Sequence, residues 1–166
     1  MRSLIAVLLL GVGCGKAAQD KQVDWHRTPL KQLSTHTGGV DFEISIPEDW
    51  EPRKAPDEGW GLLKGDPMKR PSVTVQNVSA DLASSLESAI SAAGAESQFI
   101  TRKETRADGY QITEAHDPRM IKATTFKRFG ATFLWCTASQ TNDAGIPQFA
   151  ETKQVLQKIC ESVAPH

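Results

Sequence analysis

Gly39-Val40-Asp41-Phe42-Glu43-Ile44-Ser45-Ile46-Pro47-Glu48-Asp49-Trp50 is the stretch that decides the fold class. Phe42, Ile44 and Ile46 alternate with Glu43 and Ser45. A period of two places the apolar side chains on one face and the polar ones on the other, as in a strand with one buried and one wet face. Pro47 ends the run, because it has no N–H for a ladder.

The same period recurs downstream. A short run from Gly59 to Lys64 reads as a second strand, and Ser72 to Val78 as a third, where Val73 and Val75 alternate with Thr74 and Gln76. From about Asp81 to Ala93 the period changes to that of a helix. Leu82, Leu86 and Ile90 recur every fourth residue, Ser79 and Asp81 stand where caps are favoured, and Gly94 supplies the stop. Four strands follow: Ser97 to Thr105, Gly109 to Ala115, Arg119 to Lys127 and Ala131 to Ser139. Turn signals separate them at Asp108-Gly109, Asp117-Pro118 and Gly130. Such short connections make chain-adjacent strands antiparallel. Gly145-Ile146-Pro147 then opens a last helix, with Phe149, Leu156, Ile159, Cys160 and Val163 on its buried side. Runs of strands punctuated by single helices give an α+β domain, a mainly antiparallel sheet flanked by helices.

The opening stretch resembles that of proteins with the PsbP-like α/β/α sandwich, whose first strand reads Phe-x-Ile-x-Ile-Pro-x-x-Trp. This superfamily takes in the photosystem extrinsic protein, a yeast Ran-binding nucleotide-release factor and bacterial DcrB-type lipoproteins. The resemblance spans about Gly39 to Ala164 and rests on core positions. It implies architecture and a tendency to bind other proteins, with no shared catalytic residues to carry across.

At the other end, Arg2, an apolar run from Leu4 to Leu10 and Gly11-Val12-Gly13-Cys14 form an export signal. The run is too short to span a bilayer comfortably. Leu10-Gly11-Val12-Gly13-Cys14 resembles the lipobox of bacterial lipoproteins, with Gly11 where that family has Leu. The resemblance implies cleavage before Cys14, a lipid on its thiol and a palmitate-bearing membrane anchor. The alternative is an ordinary secretory signal cut within Gly15 to Ala18. The expected organisation is therefore a signal at 1–13, a lipid-anchored tether at 14–38 and a PsbP-like domain at 39–166. Within that tether Trp25, Leu30 and Leu33 can dock on the domain, so its boundary is soft. The location implied is the bacterial cell envelope, or a soluble secreted form if Cys14 is not lipidated. Gly11, Gly13, Gly15 and Lys16 do not make a phosphate loop, since Leu10 and Ala17 occupy the places of its first Gly and its Ser or Thr.

Three cysteines suit one lipid-bearing residue plus one pair. Leu134 and Cys136 share a strand face, and Leu156, Cys160 and Val163 a helix stripe, so both remaining thiols point to a common core. A Cys136–Cys160 disulfide is expected, the alternative being two buried thiols. No Cys-x-x-Cys suggests redox catalysis.

Losing 13 of 166 residues leaves 153, enough for one domain. Arg2 leaves with the signal, so 18 basic residues face 20 acidic ones, a net −2. A nucleic-acid partner would call for a basic face. His26, His36, His116 and His166 include no pair at ligand spacing, and no Gly-x-Ser-x-Gly elbow occurs. No cofactor or metal is expected. The loop from Glu51 to Pro71, with Trp60, Lys64, Lys69 and Arg70, is the candidate contact region, since loops on a rigid sheet commonly carry recognition. Trp135 is expected in the core if both sheet faces are covered, and otherwise marks an aromatic patch with Trp60. The functional expectation is a non-enzymatic binding or assembly module with an envelope protein partner. The alternatives are a secretion-system immunity or chaperone-like protein, or an envelope small-ligand carrier or hydrolase.

Overall fold

The computed structural model describes residues 27–50, 52–54, 60–63 and 71–166. The signal, Cys14 and most of the tether lie outside these residues.

Two antiparallel sheets and two helices make up the described fold. The alternating stretch forms β2 (Val40–Pro47), with Phe42, Ile44 and Ile46 fully buried. It does not join the main sheet. It lies between β1 (Leu30–Thr37) and β10 (Ala164–Pro165) in a three-stranded sheet of its own. Strand β1 falls where the tether was expected to run, so the ordered domain reaches back at least to Leu30. Its side chains alternate between exposed and half-buried, which is the pattern of an edge strand held mainly by pairing with β2.

The main sheet has seven strands. β3 (Arg53–Lys54), β4 (Trp60–Leu63) and β5 (Ser72–Ser79) lead on one side to β9 (Thr132–Thr141). Then come β8 (Met120–Phe129), β7 (Gly109–His116) and β6 (Ile100–Arg106), so the order is β3-β4-β5-β9-β8-β7-β6. β6 to β9 are consecutive antiparallel neighbours, as their turn signals require. β6 starts at Ile100 because Ser97–Phe99 closes a 3₁₀ turn first. At the β6–β7 turn, Gly109 has φ of +149°, and a Cβ there would stand 1.8 Å from the Phe126 carbonyl oxygen. Only glycine fits such a close approach.

The expected single helix near residue 81 is two pieces, a 3₁₀ turn at Ala80–Ala83 and α1 (Leu86–Ala92). The break is at Ser84-Ser85. Ser85 turns extended, its Oγ accepts from the Ser88 N–H at 3.1 Å, and Ser88 Oγ accepts from the Ser85 N–H at 2.8 Å. This reciprocal capping box restarts the helix. Gly94 ends it with φ of +60°; the Ala95 and Gly94 N–H groups return to the Ile90 and Ser91 carbonyls. That is a Schellman closure.

Helix α2 (Phe149–Glu161) begins two residues after Pro147, and it buries Thr152, Leu156, Ile159 and Cys160. Val163, expected on its stripe, is fully buried just beyond its end. One face of the main sheet, carrying Val73, Val75, Ile121, Leu134 and Cys136, packs with β2 and α2 in the larger core. The opposite face carries the smaller core under α1.

Candidate binding face

The two faces of the main sheet are covered unequally. On the first, the three-stranded sheet and the 13-residue α2 close the core, and Cys136 of β9 is bonded to Cys160 of α2 with the Cα atoms 5.4 Å apart. The expected bridge is thus formed. Both cysteines are fully buried.

On the second face, alternation and register bring Tyr110, Ile112, Phe126, Phe133 and Trp135 together. Phe126 stacks on Trp135 at 5.3 Å and meets Phe133 edge-on at 6.5 Å. The Arg128 guanidinium lies 4.8 Å from the Phe133 ring centroid. Trp135 is partly exposed at the border of this cluster, and its buried indole N–H has no hydrogen-bond partner. It is therefore half core and half surface.

Seven helical residues span only about 10 Å. Seven strands spaced at ~4.8 Å span about 29 Å. Among the described residues, α1 and the turns of 80–99 cover this face mainly over β7 to β9 and leave its β5 side less covered. Beside Trp135 lie the cross-strand pairs Gln76 with Trp135, Thr74 with Thr137 and Ser72 with Ser139, all partly or fully exposed. The Ser72 and Ser139 hydroxyls are 3.1 Å apart. These are short uncharged donors and acceptors, suited to hydrogen bonding.

Trp60 pairs through its backbone with Val75, one strand further out in β4. Lys64, Lys69 and Arg70 of the candidate contact loop lie outside the described residues, as do His26 and Trp25. Trp50 is buried. His116 stacks on Phe99 at 4.8 Å, and His166 sits 3.7 Å from Glu43. Among the described residues no group of three or more His, Cys, Asp or Glu could hold a metal ion. None of the described helices is long and apolar enough to cross a membrane.

Two charged groups escaped the sequence reading. Glu114 is nearly buried on the second face, 3.2 Å from Lys122 on the neighbouring strand. Its other oxygen accepts from the Glu96 N–H at 2.9 Å, while Lys122 donates to the Ala93 carbonyl at 2.5 Å. The available signal was a carboxylate two residues from Ile112 on the apolar side of an alternating strand. The second group is at the β6 edge. Arg102 holds Glu104 in two hydrogen bonds, and Glu161 receives Arg102, Arg106 and Gln111. The bond from Arg102 holds the Glu104 carboxyl below its ordinary range, and the same bond raises the guanidinium.

No family model and no curated protein matches this chain. A solved structure does. The fold is similar to that of Mog1p, a Ran-binding protein of Saccharomyces cerevisiae. The match has a TM-score of 0.57 at 12% identity and covers 82% of this chain and 95% of that one. A likeness at this identity concerns the fold, an α+β sandwich, and carries no residue of function across.

Proposed function

We propose that this chain is a cell-envelope lipoprotein, anchored through a lipid on Cys14, whose domain is a non-enzymatic binding or assembly module with a protein partner. The observation that carries this reading is the Cys136–Cys160 bridge. Structural disulfides persist in oxidising compartments and are rare in the cytosol. A stapled core therefore goes with an exported domain, and the third cysteine, Cys14, is the one left at the end of an export signal. The strip beside Trp135 is the proposed contact region; Trp60, in register with Val75 of the opposite face, is not part of it, and Lys64, Lys69 and Arg70 lie outside the described residues. Ran, named for Mog1p, is not carried over.

The test is metabolic labelling with an alkyne-bearing palmitate analogue in a bacterial host, followed by membrane fractionation. Wild type is expected to take up the label and sediment with membranes, while Cys14→Ser is unlabelled and leaves the membrane fraction. A wild-type protein that carries no label would overturn the anchor, and one whose Cys136 and Cys160 are both free thiols in cells would overturn export.

A further inference from the structure

Residues 80–99 connect β5 to β6 by passing over β9, β8 and β7, and α1 lies within this strap. A helix of seven residues has almost no stability alone, because nucleation costs more than so few hydrogen bonds return. It persists through docking, and its docking side is small. The strap's buried side chains are the alanines Ala83, Ala89 and Ala93, and Leu86 and Ile90 of α1 are only partly buried against the same core. Alanines bury little apolar area, and burial is what holds a helix to a sheet.

Polar ties at the two ends do the rest. At the start the Tyr110 hydroxyl donates to the Ser84 carbonyl at 3.2 Å. At the end Lys122 holds the Ala93 carbonyl and Glu114 holds the Glu96 N–H, the two side chains being ion-paired to each other. Tyr110 and Glu114 belong to the same strand, so α1 runs along β7 fastened at both ends. Beneath it the Thr124 hydroxyl and the Trp135 indole N–H are buried without partners, each a cost to the closed layer. Helix α2, in contrast, is covalently bonded to β9. No strand pairing of the main sheet runs through residues 80–99.

We infer that residues 80–99 form a latch that opens as a unit while both sheets and α2 stay folded, uncovering Ile112, Phe126, Phe133 and Trp135. Opening breaks the Lys122, Glu114 and Tyr110 ties, the Phe99–His116 stack and the packing of the alanines, Leu86 and Ile90, and leaves every ladder intact. This goes beyond a static binding face. It makes the aromatic layer available intermittently, drawing on the low-stability end of the molecule, where moving elements are found.

Native-state hydrogen exchange on the intact oxidised chain, across a series of low urea concentrations, tests the latch. The N–H groups of Ala89, Ala93 and Ala95 bond to the Ser85, Ala89 and Ile90 carbonyls and report on it directly. They are expected to exchange through one common opening, at least about 100-fold faster than interior amides of α2 and with a much weaker urea dependence. Lys122→Met and Gly94→Ala attack the latch separately, the first by removing a tie and the second by straining the left-handed closure. Each is expected to raise the common rate about fivefold or more, while α2, whose amides exchange through global unfolding, rises by no more than the same factor and keeps its slower rate and steeper urea dependence. Two results overturn the inference. One is exchange of these amides only with α2, at its rate and urea dependence. The other is exchange at unrelated rates, which is fraying of the helix and not release of a latch. If Lys122→Met does not fold, Gly94→Ala and wild type still decide between these outcomes.

Discussion

Reducing the Cys136–Cys160 bridge breaks one covalent bond and substitutes no residue, so its effect on stability is chiefly that of the cross-link. The cysteines are 24 positions apart. Closing a loop of that size removes about 3 kcal/mol of denatured-state entropy in the chain-entropy picture. Both sulfurs are fully buried, so the thiols stay inside the core and cannot recover solvation while the domain is folded. The assay is urea unfolding followed by tryptophan fluorescence, oxidised and in excess reductant. Reduction is expected to lower the unfolding free energy by about 3 kcal/mol and the melting midpoint by roughly 10 °C. The urea dependence should steepen, since an uncrosslinked denatured chain exposes more surface. A loss below about 1 kcal/mol would refute the reasoning, because β9 and α2 would then be held by packing alone. The same result with an unchanged slope would show that the cross-link scarcely constrains the unfolded chain.

Gly109→Ala must both adopt φ of +149° and clear the Phe126 carbonyl, so a loss of about 3 kcal/mol or more is expected in urea unfolding, and less than about 1 kcal/mol would contradict the close approach. Glu104 is held below its ordinary value of 4.5 by Arg102, so its contribution is present above pH 4.5 and is lost as pH falls through the lower, folded value. The small stability gap between wild type and Arg102→Gln is therefore expected to close below pH 4.5, in thermal unfolding scans taken every half unit, and a gap that widens on acidification would reverse the assignment.

Much of this architecture is legible from residue patterns because it depends on local rules. Alternation located β2, β5 and β7 to β9. The Gly94 stop and the cysteine faces also followed from period and backbone freedom alone. What alternation does not carry is which sheet a strand joins. Phe42, Ile44 and Ile46 show that β2 has one dry face, and only the covering of Val73, Val75 and Leu134 shows that this face closes over the main sheet. β1 was harder still: Lys31, Gln32, Ser34 and His36 outnumber its apolar positions, and its order comes from the ladder with β2. The split in the expected helix turned on the reciprocal bonds of Ser85 and Ser88, which the fourfold spacing of Leu82, Leu86 and Ile90 does not reveal. The Glu114–Lys122 pair depends on hairpin register, which sets Lys122 against Glu114. Composition alone leaves either residue a solvated charge.

The placing of β2 between β1 and β10 has a consequence for synthesis. The Ser45 N–H donates to Ser162 Oγ across 117 positions of sequence, and Phe42 stands in register with Pro165. A ribosome adding roughly 5 to 20 residues per second takes about 6 to 23 s to pass from one partner to the other. Throughout that interval the dry side of β2 lacks α2 to cover it, and β2 has β1 on one edge but not β10 on the other. A nascent chain in this condition cannot lock into its final shape early. For a protein proposed to leave the cytoplasm, such delay is an advantage, because a translocation pore admits a thread more readily than a finished domain.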